Sequence, residues 1–157
     1  MAENPQIAAD GVTIGSNMKA EVFLPDDYRP AEDEPFMNDR QMEYFRRKLL
    51  AWKADILEES RDTIEAMKES TRNIPDIADR ASEETDRALE LRTRDRERKL
   101  VSKIDAALRR LENGEYGYCE VTGEPISLRR LDARPIATMS LEAQERHERR
   151  EKVHRDD

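Results

Sequence analysis

Cysteine and aromatic residues are scarce in this chain of 157 residues. It contains one cysteine, one tryptophan and three phenylalanines, and aromatic side chains make up only 5% of the sequence. A single cysteine excludes an internal disulfide framework, and so few large rings exclude a large globular core. No apolar run is long enough for a signal peptide or a membrane span. We therefore expect a cytoplasmic protein with no membrane partner.

Charge, in contrast, is abundant and unevenly distributed. Charged residues make up 41% of the chain, and the formal net charge is -8. Residues 1–36 carry eight acids and two bases, so the remaining chain, at a net charge of -2, is close to neutral. Neither part is a basic body of the kind that binds nucleic acid through its phosphates. We expect no direct sequence-specific DNA binding.

Hydrophobic periodicity divides the chain into three parts. Residues 1–35 combine acids and prolines with little periodicity, which predicts an acidic flexible N-terminal arm. Apolar residues at 3-4-3-4 spacing then form a coiled-coil seam. The seam consists of Met42, Phe45, Leu49, Trp52 and Ile56. Asn38 or Asp39 is a suitable N-cap for this first helix.

A second helix follows a break at Pro75, which should end the first helix near Arg72 or Asn73. The second helix should end at Asn113, because Asn-Gly is a common helix stop. Its apolar seam comprises Leu100, Ile104, Ala107 and Leu111. Two long helices joined by a short turn must lie antiparallel. The expected fold is therefore mainly α, with a coiled-coil hairpin over residues 36–113 and its tip at 73–81.

Residues 114–157 predict a small globular module that ends in a helix, with Ser140 as its N-cap. Cys119 and Thr122 have the spacing of one zinc-binding C-x-x-C pair, and Ser140 and Ala143 that of a second. Structural zinc needs about four Cys or His ligands, so this zinc-ribbon-like module is degenerate and we expect no bound metal. The core residues expected to replace the metal are Tyr118, Ile126, Leu128, Leu131 and Ile136.

Two sets of charged residues are candidates for function. Asp76 and Asp79 lie at the hairpin tip, where side chains do not pack into a hydrophobic core and are available to contact a partner. Lys103 and Arg134 could converge into an anion pocket where the second helix meets the module. The sequence has no Walker loop, nucleophile elbow or metalloprotease motif, so we do not expect an enzyme.

Several stretches resemble one family, the DksA/TraR transcription factors. They read FMNDRQMEYFRRKLLAW, IPDIADRA, LELRTRDRERKL, GYC and GEPISLRRLDARP, in that order along the chain. The resemblance implies a protein that inserts its hairpin through the secondary channel of RNA polymerase. It also implies joint action with guanosine tetraphosphate (ppGpp) in the stringent response, repressing ribosomal RNA promoters and activating some biosynthetic ones.

The resemblance also implies roles for individual residues. The family's tip motif D-x-x-D-x-A corresponds to Asp76, Asp79 and Ala81. Its ppGpp site corresponds to the residues Leu100, Lys103 and Arg134, with Arg96 near the polymerase surface. The substitutions at three of four zinc positions resemble the cysteine-poor branch, whose members keep the fold without zinc. Gln144 replaces a lysine of typical members, which removes one positive charge.

Three alternatives remain open at this point. The tip acids could hold a catalytic magnesium ion in a transcript-cleavage or anti-arrest factor that uses the same channel. Cys119 could be the centre of a thiol or metal sensor. The hairpin could also be an inert spacer. For the polymerase-binding regulator we expect a monomer.

Overall fold

The structure is a computed structural model that describes residues 21–70 and 77–155, with the backbone alone for residues 70 and 77–79. Within these ranges the chain forms four helices. They are α1 (Asp39–Ser70), α2 (Ile77–Asn113), α3 (Leu128–Ala133) and α4 (Leu141–Arg155). The predicted mainly helical fold is confirmed. α2 ends at Asn113 as predicted, and Gly114 follows it with a left-handed φ of +74°.

Asn38 caps the start of α1. Its Oδ1 accepts a hydrogen bond from the Gln41 N–H (2.8 Å), and the Gln41 Oε1 accepts one from the Met37 N–H (2.8 Å). This reciprocal arrangement resembles a capping box and satisfies amide groups that the helix leaves unpaired. The side chain of Gln41 is fully buried and also donates to the carbonyl of Ala31 (3.2 Å). The start of the hairpin is therefore tied to the segment that precedes it.

The two long helices pack together through an apolar base. The buried residues of this base are Phe45, Leu49, Ile56, Ile104, Ala107 and Leu111. They belong to the two seams that the sequence predicts. Lys53 and Asp105 add a partly exposed ion pair between the helices (2.7 Å).

Beyond the apolar base, α2 continues its seam with charged residues. The half-buried positions, at 4-3-4-3 spacing, are Glu83, Arg87, Glu90, Arg94 and Glu97. At 1.5 Å per residue each helix is about 50 Å long, so most of the hairpin is a slender rod with little apolar packing. Its stability must come mainly from the base.

The module packs against that base through a turn, α3 and α4. Tyr118 and Pro125 form an isolated antiparallel bridge, beside which the Ile126 N–H donates to the carbonyl of Gly117 (2.7 Å). Four of the five expected core residues are buried: Ile126, Leu128, Leu131 and Ile136. The fifth expectation is wrong, because Tyr118 is 40% exposed and Tyr116, at 2%, fills the core instead. Periodicity cannot distinguish two tyrosines flanking a glycine in a turn.

Candidate functional site

The hairpin tip lies largely outside the described residues. Asp76 is not among them, and for Asp79 the structure gives the helical backbone of α2 but no side chain. Ala81 is exposed on the first turns of α2. The functional assignment of the tip motif stays a prediction.

A small basic pocket lies where α2 meets the module. Its volume is about 260 Å³. One wall is the face of α2 that carries Lys103, Ala106 and Arg110, and the other is formed by residues 130–139 with Gln144 of α4. Four of its lining residues are cationic: Lys103, Arg110, Arg130 and Arg134. No carboxylate lines it, so the pocket suits an anion.

Hydrogen bonds to backbone carbonyls hold the second wall in place. The buried hydroxyl of Tyr116 donates to the carbonyl of Pro135 (2.7 Å), and burial raises the pKa of this hydroxyl above its usual value. The Arg130 Nε donates to the carbonyl of Met139 (2.9 Å). Both contacts hold in place the turn that follows α3 and carries Arg134.

The structure brings together some of the predicted contact residues and separates others. Lys103 and Arg134 line the same pocket, and Gln144 lines it too. Leu100 lies one turn earlier on α2, half-buried against the core. Arg96 is exposed a further turn away and does not line the pocket. Sequence reasoning missed Arg110, although it lies seven residues after Lys103 and hence on the same helical face.

The four degenerate zinc positions form a hydrogen-bonded loop around one buried thiol. Thr122 accepts a hydrogen bond from the Glu124 N–H (3.3 Å), and Ser140 accepts one from the Ala143 N–H (3.3 Å) as the N-cap of α4. Burial alone would raise the pKa of the Cys119 thiol. Hydrogen bonds from the Thr122 hydroxyl and from nearby backbone groups outweigh burial and lower this pKa to about 6.

This donor set does not fit a zinc ion. It offers one thiolate from Cys119, two hydroxyls and the methyl group of Ala143, whereas a closed zinc site needs about four sulfur or imidazole ligands. Within the part of the chain that the structure describes, no three His, Cys, Asp or Glu residues are grouped closely enough to hold a metal ion. The hydroxyls instead satisfy backbone amides, and the loop closes through protein contacts.

A cluster of polar side chains joins α1 to α3. Asp132 accepts hydrogen bonds from the Tyr44 hydroxyl (2.6 Å) and from Lys48 (2.6 Å). The hydrogen bond from Lys48, and to a lesser extent that from Tyr44, holds the pKa of the Asp132 carboxyl below its usual value. Arg29 donates to the Tyr44 hydroxyl (3.1 Å), and the Tyr28 ring packs edge-on against that of Tyr44. Part of the predicted acidic arm thus contacts the hairpin base.

None of the helices in the described ranges combines the length and apolar character that crossing a membrane requires.

Two family models match the chain in succession. The model of "DnaK suppressor protein DksA, N-terminal domain" matches residues 41–111, and that of "Prokaryotic dksA/traR C4-type zinc finger" matches residues 114–149. The first range covers most of the hairpin, and the second covers the module with the basic pocket and the degenerate cysteine loop.

Curated relatives and a solved structure are similar over most of the chain. The "RNA polymerase-binding transcription factor DksA" of Caulobacter vibrioides is 75% identical over 131 residues, which cover 83% of this chain and 92% of that protein. The protein of the same name from Escherichia coli K12 is 42% identical, covering 80% and 83% respectively. The structure of transcription factor DksA2 from Pseudomonas aeruginosa superposes with a TM-score of 0.70 at 42% identity, covering 74% of this chain and 90% of that one.

Proposed function

This chain belongs to the DksA/TraR family, and from that membership we propose that it is a transcription regulator that binds RNA polymerase through the secondary channel. The observation that carries the proposal is its similarity to relatives named as polymerase-binding factors, which spans both the hairpin and the module. The family consists of transcription factors rather than enzymes. We propose that this member acts as a monomer in the cytoplasm and makes no sequence-specific contact with DNA.

The shape of the hairpin supports insertion into a channel. Each helix is about 50 Å long, and among the described side chains beyond Ile56 no large one is buried in a way that would thicken the rod. Its apolar base and the module form a broader body that would remain outside the channel. A rod of this kind places its tip residues deep within a partner while the body contacts the rim.

We propose that the tip motif acts on the polymerase active centre. Asp76 and Asp79 would perturb the equilibrium that forms the open promoter complex. Promoters with short-lived open complexes, such as those of ribosomal RNA, would then be repressed most, and some biosynthetic promoters activated. The carboxylates act electrostatically in this mechanism and catalyse no reaction.

The basic pocket supports ppGpp as the effector. Lys103 and Arg134 line it, and Leu100 and Arg96 lie progressively further along α2 toward the rod. We propose that ppGpp binds between these residues and polymerase, so that the nucleotide strengthens the complex. No metal cofactor is part of this proposal, because the Cys119 loop does not provide a zinc ligand set.

Transcription in vitro from a ribosomal RNA promoter, with and without ppGpp in chelator-treated buffer, tests the proposal. Wild-type protein should inhibit, and ppGpp should strengthen the inhibition. Asp79→Asn should retain polymerase binding and lose inhibition, because it removes a tip charge from a rod whose base is unchanged. Asp62→Asn, which alters an exposed carboxylate of α1 away from the tip, should inhibit like wild type.

The same assay separates the alternatives. Full inhibition by Asp79→Asn would contradict the tip assignment. Shortening of the transcript in backtracked complexes would indicate a cleavage factor. Inhibition that disappears in chelator, or in a Cys119→Ser variant that folds normally, would favour a metal or thiol sensor.

A further inference from the structure

We propose that Arg110 is a phosphate-binding residue of the basic pocket and that the pocket takes a diphosphate group rather than a whole nucleotide. This inference rests on the proposed ppGpp response and extends it, since neither the family motif nor the sequence pattern assigns a role to Arg110.

The placement of Arg110 follows from helix geometry. Lys103, Ala106 and Arg110 line the pocket from positions i, i+3 and i+7 of one helix, so they share a face. The two cations are about 10 Å apart along the axis, with alanine between them. Because Ala106 projects only a methyl group, space remains between the two charged side chains. An extended anion would reach both.

The charges of the pocket are not compensated by the protein. None of Lys103, Arg110 and Arg134 has an ion pair with a carboxylate among the described residues. The Nε of Arg130 is already engaged by the carbonyl of Met139, although its charge remains. Four neighbouring cations repel one another, and an anion with several oxygens would relieve that repulsion.

The size of the pocket restricts what it can enclose. Its volume is about 260 Å³. Sites that bury a drug-sized ligand usually measure about 300–1,000 Å³. The pocket lies just below that range, which suits a diphosphate group better than a whole nucleotide. We therefore place the nucleoside outside the pocket, where a bound polymerase would cover it.

Because Gln144 is neutral, the positive charge of the pocket depends more on Arg110. The Gln144 Nε2 donates to the Glu148 carboxylate on the next turn of α4 (2.9 Å), so this neutral side chain is already engaged away from the pocket. The α4 wall therefore contributes no cation. Arg110, on the α2 wall, supplies positive charge from the other side of the same space.

The test compares Arg110→Gln with Arg109→Gln in the full-length protein bound to RNA polymerase. Arg109 is the exposed neighbour and lines no part of the pocket, so it controls for loss of one positive charge from the end of α2. The readouts are polymerase affinity without ppGpp and the ppGpp concentration that gives half-maximal inhibition. Inorganic pyrophosphate, as a competitor, tests whether the pocket recognises the diphosphate alone.

We expect Arg110→Gln to raise the half-maximal ppGpp concentration by about tenfold or more, the usual loss for one hydrogen bond to a charged group. Polymerase affinity without ppGpp should not change, and Arg109→Gln should behave like wild type. Arg110→Lys should restore part of the response. If Arg110→Gln folds poorly, Arg110→Met, which keeps an unbranched stem and removes the charge, takes its place and should show the same loss.

Equal ppGpp responses of Arg110→Gln, Arg109→Gln and wild type would overturn the inference while leaving the proposed function intact. Equal losses in both variants would also overturn it, because the effect would then reflect general charge. If wild-type protein binds polymerase but ignores ppGpp, both the effector assignment and this inference are wrong. If pyrophosphate fails to compete, the diphosphate assignment is wrong.

Discussion

Tyr116→Phe removes one buried hydroxyl and nothing else. That hydroxyl donates to the carbonyl of Pro135 at 2.7 Å, in a core where Tyr116 is only 2% exposed. The change leaves the Pro135 carbonyl buried without this donor, which should cost about 1–3 kcal/mol of unfolding free energy. For a protein of this size each kcal/mol lowers the melting temperature by about 2–4 °C, so we expect a fall of roughly 2–12 °C.

Thermal unfolding followed by circular dichroism measures this fall, and Tyr118→Phe is the matched control. Tyr118 is two residues away and 40% exposed, and its packing against Phe36 uses the ring that phenylalanine keeps. The Tyr118→Phe variant should therefore have the melting temperature of wild type. Because Pro135 adjoins Arg134, Tyr116→Phe should also weaken the ppGpp response. A melting temperature equal to that of wild type would refute the role given to this hydrogen bond.

Three further predictions concern other parts of the molecule. Asp132→Asn should lower the free energy of unfolding at neutral pH. Because Lys48 and Tyr44 lower the folded pKa of Asp132, the difference in unfolding free energy between variant and wild type, measured with urea, should shrink as the pH falls through that pKa. Ala106→Met should fill the basic pocket, so transcription assays should show loss of the ppGpp response with polymerase binding retained. The Cys119 thiol has a folded pKa of about 6 and an unfolded value of 9.0. As the pH rises from 6 to 9, the unfolding free energy of wild type should therefore increase relative to that of Cys119→Ala. A difference in unfolding free energy that stays constant across that range would show that Cys119 is not a thiolate in the folded protein.

The sequence predicts the hairpin well because its signals are local and repeated. Phe45 and Leu49 on α1 and Ile104 on α2 follow a helical period, and their burial is confirmed. The N-cap role of Ser140 follows from residue type and position, and of the two candidates Asn38 and Asp39 the structure shows Asn38 to be the N-cap of α1.

The contacts of the module depend on tertiary structure and were harder to predict. Nothing local in the sequence indicates that Tyr116 rather than Tyr118 is buried, because a turn with Gly117 at a φ of +89° decides which ring faces inward. The six-residue helix α3 was likewise not predicted, since it is shorter than two turns and lies among turn residues. Asp132, on that helix, meets Tyr44 from a distant part of the chain.

The basic pocket was predicted in part. Lys103 and Arg134 were expected to converge, and they line one space. Arg110 was missed because it lies seven positions after Lys103 and directly beside another arginine, Arg109. Only the helical face and the opposite wall of residues 130–139 together define the pocket.

The central claim, that the hairpin enters the secondary channel, is tested most directly by photo-crosslinking from the tip. A photoreactive residue replaces the exposed Ala81, and a second version places it at the exposed Ser102 near the hairpin base. Proteolytic mapping of the adducts with RNA polymerase then locates both positions. The account predicts crosslinks from position 81 to segments beside the active centre, and from position 102 to the outer rim of the channel. Crosslinks from position 81 confined to the outer surface of polymerase would contradict it.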